Sequence, residues 1–337
     1  MRRRVIAARW RRSDAMARLG ATSVRLTDAK GHMMNEQSDS PVATTEPQAA
    51  PAPPIERVSD ALQDFIKALI GSNRRRPRRL KSLLHGTWLR HPLHPLLTDI
   101  PIGAWVLAAL FDIIWLIAPK TWAWAAQGAV VVVAVGALAG IGAVLTGMAD
   151  WSDSYGAERR TGFWHGLLNS TALILYIVSL VFRLQAPGWQ SLTGAVLGFI
   201  GVVTVTYGGY LGGDMVFGKG TGVNHTAWEA GSDDFEAVIP VTDMPDNHLQ
   251  RVVVAGVPVI LLRMGDQYCA ISATCSHAGG PLDEGTLGGG VVTCPWHGSR
   301  FSVCSGQPLT GPATIAQPRY ETRVRDGYIE LKRLGAH

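Results

Sequence analysis

Charge is scarce in this chain. Of its 337 residues, 17% are Asp, Glu, Lys or Arg, against 47% hydrophobic. A soluble enzyme of this size carries more charge, so the composition argues for a protein that lies partly in a membrane. Cysteine is scarcer still. The four present (Cys269, Cys275, Cys294, Cys304) all fall within 36 residues near the C-terminus. Count alone allows two disulfides, but the cysteines share their spacing with histidines, which argues for metal. No apolar h-region follows the Arg-rich residues 1–30, which excludes a secretory or twin-arginine signal. No nicotinamide or flavin fingerprint is evident, because runs such as GGYLGGD end an apolar stretch and lack a strand–turn–helix setting. The net charge of +5 is concentrated in the first 90 residues, so it makes no case for nucleic acid.

What is present falls into four parts. Residues 1–55 read as a disordered basic and Pro-rich tail, with Met33 or Met34 as alternative starts to Met1. Residues 56–90 place Val58, Leu62, Phe65, Ile66 and Leu69 at helical spacing, followed by NRRRPRRLK. An amphipathic helix with a polybasic collar on an anionic lipid surface is expected. Residues 91–225 contain four apolar stretches of spanning length, roughly 98–118, 122–146, 164–183 and 192–212. Trp105, Trp122, Trp124, Trp164, Trp189 and Tyr210 gather near their ends, as an aromatic belt would. Gly136 with Gly140, and Gly194 with Gly198, form two small-xxx-small faces suited to close helix packing. Counting Lys and Arg beside the spans gives ten on one side and two (Lys120, Arg183) on the other. This bias predicts both termini in the cytoplasm of a multi-pass cell-membrane protein. Residues 235–334 alternate in short runs broken by Gly, Pro and Asp, which predicts a small antiparallel β domain on that same side.

The cysteines belong to this last part, in CSHAGGPLDEGTLGGGVVTCPWHGSRF, a C-x-H…C-x2-H pattern. Two cysteines and two histidines are a common zinc set. They are also the ligands of a 2Fe-2S cluster with histidines on one iron. Zinc fingers group ligands by type, whereas here each loop supplies one of each, so each loop touches both irons of a binuclear centre. Neutral imidazoles in place of two thiolates make the cluster less negative and raise its potential. Their free nitrogens can titrate with the oxidation state, which couples proton to electron transfer.

CSHAGG, CPWHGS and the following RFSVCSGQPLTGPA resemble the Rieske iron–sulfur family over about 100 residues. The resemblance implies that Cys275 and Cys294 ligate one iron and His277 and His297 the other. It implies that Ser299 bonds a bridging sulfide. Quinol-oxidising members carry an additional cysteine pair and a tyrosine at the places of Gly280, Trp296 and Phe301. Lacking these, the cluster is expected to be ferredoxin-like, with a lower potential. Cys269 and Cys304 fall outside the ligand positions and read as buried, unreactive strand residues.

HPLHP, ADWSD…ERR…H…N and YLGGDMVFGKGTGVN, over roughly 90–225, resemble a family of four-helix membrane domains catalogued as domain of unknown function 2231. That resemblance assigns no chemistry. His91, His94, Asp99, Asp150, His165, Asn169, Asp214 and His225 all fall at the β-domain end of the spans. His94 and His165 are candidate cofactor-binding residues, for a haem, a metal or a quinone; helix capping and interfacial hydrogen bonding is the plain alternative. Asp112 lies deeper, with no visible partner.

The expected protein is thus a four-helix transmembrane bundle followed by a small all-β Rieske-type domain. Its expected role is that of a membrane-anchored electron carrier on the cytoplasmic face, with membrane lipid and a redox partner protein (a reductase or an oxygenase) as partners. A quinone- or haem-linked oxidoreductase and a redox-sensing regulator are the alternatives. A terminal Rieske oxygenase is disfavoured, since about 40 residues after His297 leave no room for a catalytic iron domain.

Overall fold

The computed structural model describes residues 54–70 and 79–335. The N-terminal tail, its alternative starts and most of the polybasic run (Arg74, Arg75, Arg76, Arg78) lie outside the described residues. Helices α1 (Pro54–Leu69) and α2 (Arg79–His85) precede four long apolar helices. These are α3 (Leu93–Ile117), α4 (Ala123–Trp151), α5 (Gly156–Gln185) and α6 (Leu192–Gly213). All four are long and apolar enough to cross a membrane.

The helices outrun the apolar stretches read from the sequence. His94 therefore sits in the first turn of α3, His165 lies inside α5, and Arg159 and Arg160 open α5 instead of occupying a loop. Arg183 is not a flanking charge. It is fully buried in the last turn of α5, and its guanidinium donates two parallel hydrogen bonds to Asp112, at 2.7 and 2.6 Å. Asp112 thereby has its partner, and the far side keeps Lys120 as its basic residue between α3 and α4. Trp105 also departs from expectation. It is buried in the bundle core and stacks on Tyr176, with ring centroids 4.2 Å apart. Trp122, Trp124, Trp164, Trp189 and Tyr210 are exposed, as a belt requires. The glycines make room for side chains: Gly136 receives the Trp105 indole, and Gly194 and Gly198 receive Arg183.

Helix α1 lies against the end of the bundle with its polarity inverted. Ser59 and Gln63 are buried, and the Gln63 amide donates to the carbonyls of Trp151 and Ser154. Ile66 packs on Ala149 and Trp151. Val58, Leu62, Phe65 and Leu69 point away from the protein, with Phe65 and Leu69 64% and 70% exposed.

The remainder is all β. Strands β1 (Glu236–Pro240), β2 (Leu249–Val254), β3 (Val257–Met264), β4 (Gln267–Ser272), β9 (Arg319–Arg325) and β10 (Tyr328–Arg333) form one antiparallel sheet in the order β1-β10-β9-β4-β3-β2. A smaller sheet, in sequential order, contains β5 (Thr286–Gly288), β6 (Val291–Thr293), β7 (Arg300–Ser302) and β8 (Pro308–Thr310). Alternating apolar residues of β3, β4, β6 and β7 meet between the sheets, where Ile260, Leu262, Ile271, Val292 and Phe301 are fully buried.

Cys269 and Cys304 correct the reading of unreactive strand cysteines. Cys304 lies in the turn after β7, and the two sulfurs form a disulfide that ties this turn to β4.

Candidate metal centre

Two loops carry the Cys/His pattern, one after β4 and one between β6 and β7. Each closes as a tight turn. The Gly279 N–H donates to the Cys275 carbonyl at 2.8 Å, and the Gly298 N–H donates to the Cys294 carbonyl at 3.1 Å. Both glycines have positive φ, +74° and +72°, a conformation that side chains disfavour. The turns aim backbone N–H groups at sulfur: those of His277 and Ala278 at Cys275, and those of Trp296 and His297 at Cys294.

The four side chains converge. Cys275 and Cys294 are buried, unpaired in any disulfide, and hydrogen-bonded to each other. The His277 and His297 rings are 4.9 Å apart. Hydrogen bonding from Cys275 and from the backbone pulls the Cys294 thiol down to about 6, while the same pairing and burial push Cys275 up. Burial, reinforced by His297, holds His277 down at about 3, and burial lowers His297 as well. Both imidazoles are therefore neutral, the form that ligates metal. The buried Nδ1 of His277 has no hydrogen-bond partner. An unpartnered, desolvated nitrogen beside two thiols fits an iron ligand and fits a purely structural histidine poorly. A Cβ at Gly280 would lie 3.0 Å from the Cys294 sulfur, so glycine keeps this approach open. Ser299 is buried and its hydroxyl oxygen accepts from the Ala313 N–H at 2.9 Å, which leaves its own proton to donate. Phe301, fully buried, packs in the same core as both cysteines and brings no donor.

The histidine edge faces the helical part of the molecule. The Tyr155 ring, in the α4–α5 connection, lies 5.4 Å from the His297 ring. The Gly311 N–H contacts Ser82 Oγ at 3.4 Å, and a Cβ at Gly311 would lie 3.2 Å from the His85 ring. The His225 N–H donates to the Ser276 carbonyl at 3.1 Å. Beneath this edge is a buried charged group. Lys81 donates to Asp153 at 2.6 Å, and His85 bonds Asp150 at 2.6 Å and approaches Asp153 at 3.5 Å. Burial works against a charged His85, but its bonds to Asp150 and Asp153 outweigh it and raise its pKa. Burial likewise opposes the Asp153 carboxylate, yet His85 and Lys81 hold its pKa below the usual range.

Tyr155, Lys81, His85 and Asp153 were not legible as site residues in the sequence. Their one trace is spacing: Lys81 and His85 at i, i+4 opposite Asp150 and Asp153 at i, i+3. His94 and His165 come together, with ring centroids 6.1 Å apart. His91 and Asp99 are exposed. Asp214 pairs with Lys219.

An all-β domain with one Cys–His pair on each of two facing loops defines a Rieske-type iron–sulfur protein. Comparison with known proteins agrees. The family described as Rieske [2Fe-2S] domain matches residues 234–321, and the family described as predicted membrane protein (DUF2231) matches residues 90–225. Ferredoxin CarAc of Metapseudomonas resinovorans is 39% identical over 93 residues, covering 27% of this chain and 87% of that protein. The 3-phenylpropionate/cinnamic acid dioxygenase ferredoxin subunit of Escherichia coli is 33% identical over 91 residues, covering 27% of this chain and 85% of that protein. A solved complex of oxygenase and ferredoxin in carbazole 1,9a-dioxygenase aligns at 35% identity, over 30% of this chain and 94% of that one, with a TM-score of 0.29. Against Apoptosis-inducing factor 3 of Homo sapiens, 28% identical, the chain spans 16% of that protein. The chain belongs to the Rieske [2Fe-2S] family, joined here to a DUF2231 membrane domain, and carries a 2Fe-2S cluster.

Proposed function

We propose that this protein is a membrane-anchored one-electron carrier with Cys275 and Cys294 on one iron and His277 and His297 on the other. A bound 2Fe-2S cluster supplies a one-electron couple. The chain supplies its setting. Two thiols lie under four backbone N–H groups, two imidazoles are held neutral, Ser299 has a proton to donate, and the core around Phe301 excludes water. The observation that carries the reading is the convergence of the two Cys–His pairs around the orphaned His277 nitrogen. Purified protein should show a Rieske EPR signal upon one-electron reduction, lost in Cys275→Ser and in His297→Ala. A colourless, zinc-loaded protein from iron-replete anaerobic expression would refute the reading.

The four apolar helices and the exposed stripe of α1 support anchoring in lipid, with α1 lying on the surface. The relatives named as ferredoxin components support a redox partner protein, a reductase or an oxygenase. Trp296, exposed beside His297, is left open to such a partner together with Pro295.

The Lys and Arg bias supports a cytoplasmic β domain. The Cys269–Cys304 disulfide favours a second reading, because such bonds persist in oxidising compartments. Protease digestion of the β domain in right-side-out and inside-out vesicles decides: cleavage confined to inside-out vesicles supports the cytoplasmic reading, and cleavage confined to right-side-out vesicles the other.

A quinone-linked oxidoreductase is favoured by the His85, Asp150 and Asp153 group near the ligand histidines, since a quinol releases a proton with each electron. Reduction of the cluster by a ubiquinol or menaquinol analogue would establish that reading, and its absence would leave the carrier.

A further inference from the structure

The four-helix domain is built as two copies of one helical hairpin, and its pseudo-symmetry marks a site. Three side-chain pairs join α3 to α5 across the middle of the bundle: His94 with His165, Trp105 with Tyr176, and Asp112 with Arg183. The members of each pair are 71 residues apart. The partner helices repeat in step. Each histidine donates from Nδ1 to a carbonyl of the next helix, His94 to Ala143 in α4 and His165 to Gly208 in α6, both at 2.8 Å. Four residues beyond each of those carbonyls a glycine lies under the ring. A Cβ at Gly147 would come within 2.7 Å of His94, and one at Gly212 within 2.9 Å of His165. Seven residues before each carbonyl another glycine receives the aromatic ring, Gly136 for Trp105 and Gly201 for Tyr176. A two-fold pseudo-axis therefore runs along the bundle, relating α3 to α5 and α4 to α6. The stacked rings, the ion pair and the two histidines all meet across it.

Of the two pairs besides the histidines, the ion pair is complete in itself, whereas the stacked pair leaves the buried Trp105 Nε1 without a hydrogen-bond partner. The Trp105 and Tyr176 rings are in van der Waals stacking, and the Tyr176 hydroxyl donates to the Gly198 carbonyl at 3.0 Å. Asp112 and Arg183 neutralise each other. The histidine pair is not complete. A carbonyl can only accept, so Nδ1 carries the proton in both rings and Nε2 is left as a lone pair. Among the described residues nothing hydrogen-bonds either Nε2. Histidines that ligate a metal characteristically donate their other ring N–H in this way, because that bond fixes tautomer and ring orientation and raises ligand basicity.

We propose that His94 and His165 form a two-imidazole metal site on the pseudo-axis of the membrane domain, distinct from the 2Fe-2S centre. The donor count selects the occupant. Among the described residues no third His, Cys, Asp or Glu joins the pair. A bare zinc ion asks for four ligands, whereas a haem iron takes its axial ligands from the protein and the rest from the porphyrin. A metal held between both Nε2 atoms at bonds of about 2 Å would separate the ring centroids by roughly 6 Å, and the observed separation is 6.1 Å. The site lies at the β-domain end of the bundle. Gly147, under His94, precedes Asp150 by three residues, about 4.5 Å of helix, and Asp150 bonds His85 beneath the histidine edge of the cluster loops.

The test uses the full chain purified in detergent from cells supplied with iron and a haem precursor. Optical spectra, pyridine haemochrome assay and elemental analysis are read together with the Rieske EPR signal, which reports the cluster and the fold of the β domain independently. The expected result is one haem per chain, reduced at least tenfold in His94→Ala and in His165→Ala with the EPR signal kept, and restored by added imidazole. One equivalent of a non-haem metal lost in both variants would support the two-imidazole site with a bare ion as its occupant. Absence of any metal beyond the two cluster irons, or its retention in both variants, would overturn the proposal. Failure of the Rieske reading would instead remove the EPR signal and leave these outcomes readable.

Discussion

The Tyr155 ring lies 5.4 Å from the His297 ring, so a residue of the α4–α5 connection packs beside the second Cys–His loop. Tyr155→Ala is expected to admit water there. Water favours the more charged, reduced form of the site, so the midpoint potential should rise by some tens of millivolts in a redox titration. An unchanged potential would mean that the contact does not shield the site.

The buried group of His85, Asp150 and Asp153 carries a pH dependence of its own. The pKa of His85 is raised in the folded protein, so its contribution to stability is complete below the unfolded value of about 6.5 and is lost as pH rises through the folded value. Asp153 acts in the opposite direction: its lowered pKa contributes above the usual carboxylate range and fails only in acid. The melting temperature of His85→Asn should therefore fall furthest below the parent at pH 6, with the gap closing towards pH 9. A gap independent of pH would exclude a charged His85.

Asp112 and Arg183 test the core of the bundle. Removing one partner strands a buried charge, at a cost of about 3–5 kcal/mol. Asp112→Ala and Arg183→Met should each lower thermal stability in detergent sharply. The double variant should regain part of the loss, and strictly additive losses would contradict the pairing.

Phe301 and Ser299 lie buried in the domain that holds both cysteines, and each is expected to bear on the potential of the cluster. Phe301→Tyr would bring a hydroxyl into the core that holds both cysteine sulfurs, and a donor there raises the potential. Ser299→Ala removes a buried hydroxyl and should lower it. Protein-film voltammetry of both variants would show opposite shifts, and equal potentials would place neither side chain at the cluster.

Cys269→Ser and Cys304→Ser remove a cross-link between β4 and the turn after β7, and each should cost about 2–4 kcal/mol of β-domain stability. Alkylation of the parent protein after anaerobic denaturation, before and after reduction, should reveal two additional thiols only after reduction. Full alkylation without reductant would show the bond open in the cell, in keeping with a cytoplasmic β domain.

Much of this architecture was legible in the chain. Four apolar runs of spanning length, alternating short strands and one Cys–His pair on each of two loops depend on local composition and period, which survive without knowledge of neighbours. The tertiary structure decided what composition cannot encode. Trp105 read as an interfacial aromatic and is core, because Gly136 and Tyr176 lie across from it on other helices. Arg183 read as a charge flanking a span and is buried, because Asp112 meets it from a segment 71 residues away. The repeated hairpin was hidden for the same reason: its paired positions carry different residues, Trp against Tyr and Asp against Arg, alike only in where they meet. By itself the sequence determined the paired Cys–His pattern and the four long apolar runs, since side-chain chemistry and hydropathy are properties of each residue. Only the tertiary structure decided that the histidine edge of the β domain faces Tyr155 and His85, since contact between distant residues is a property of the fold.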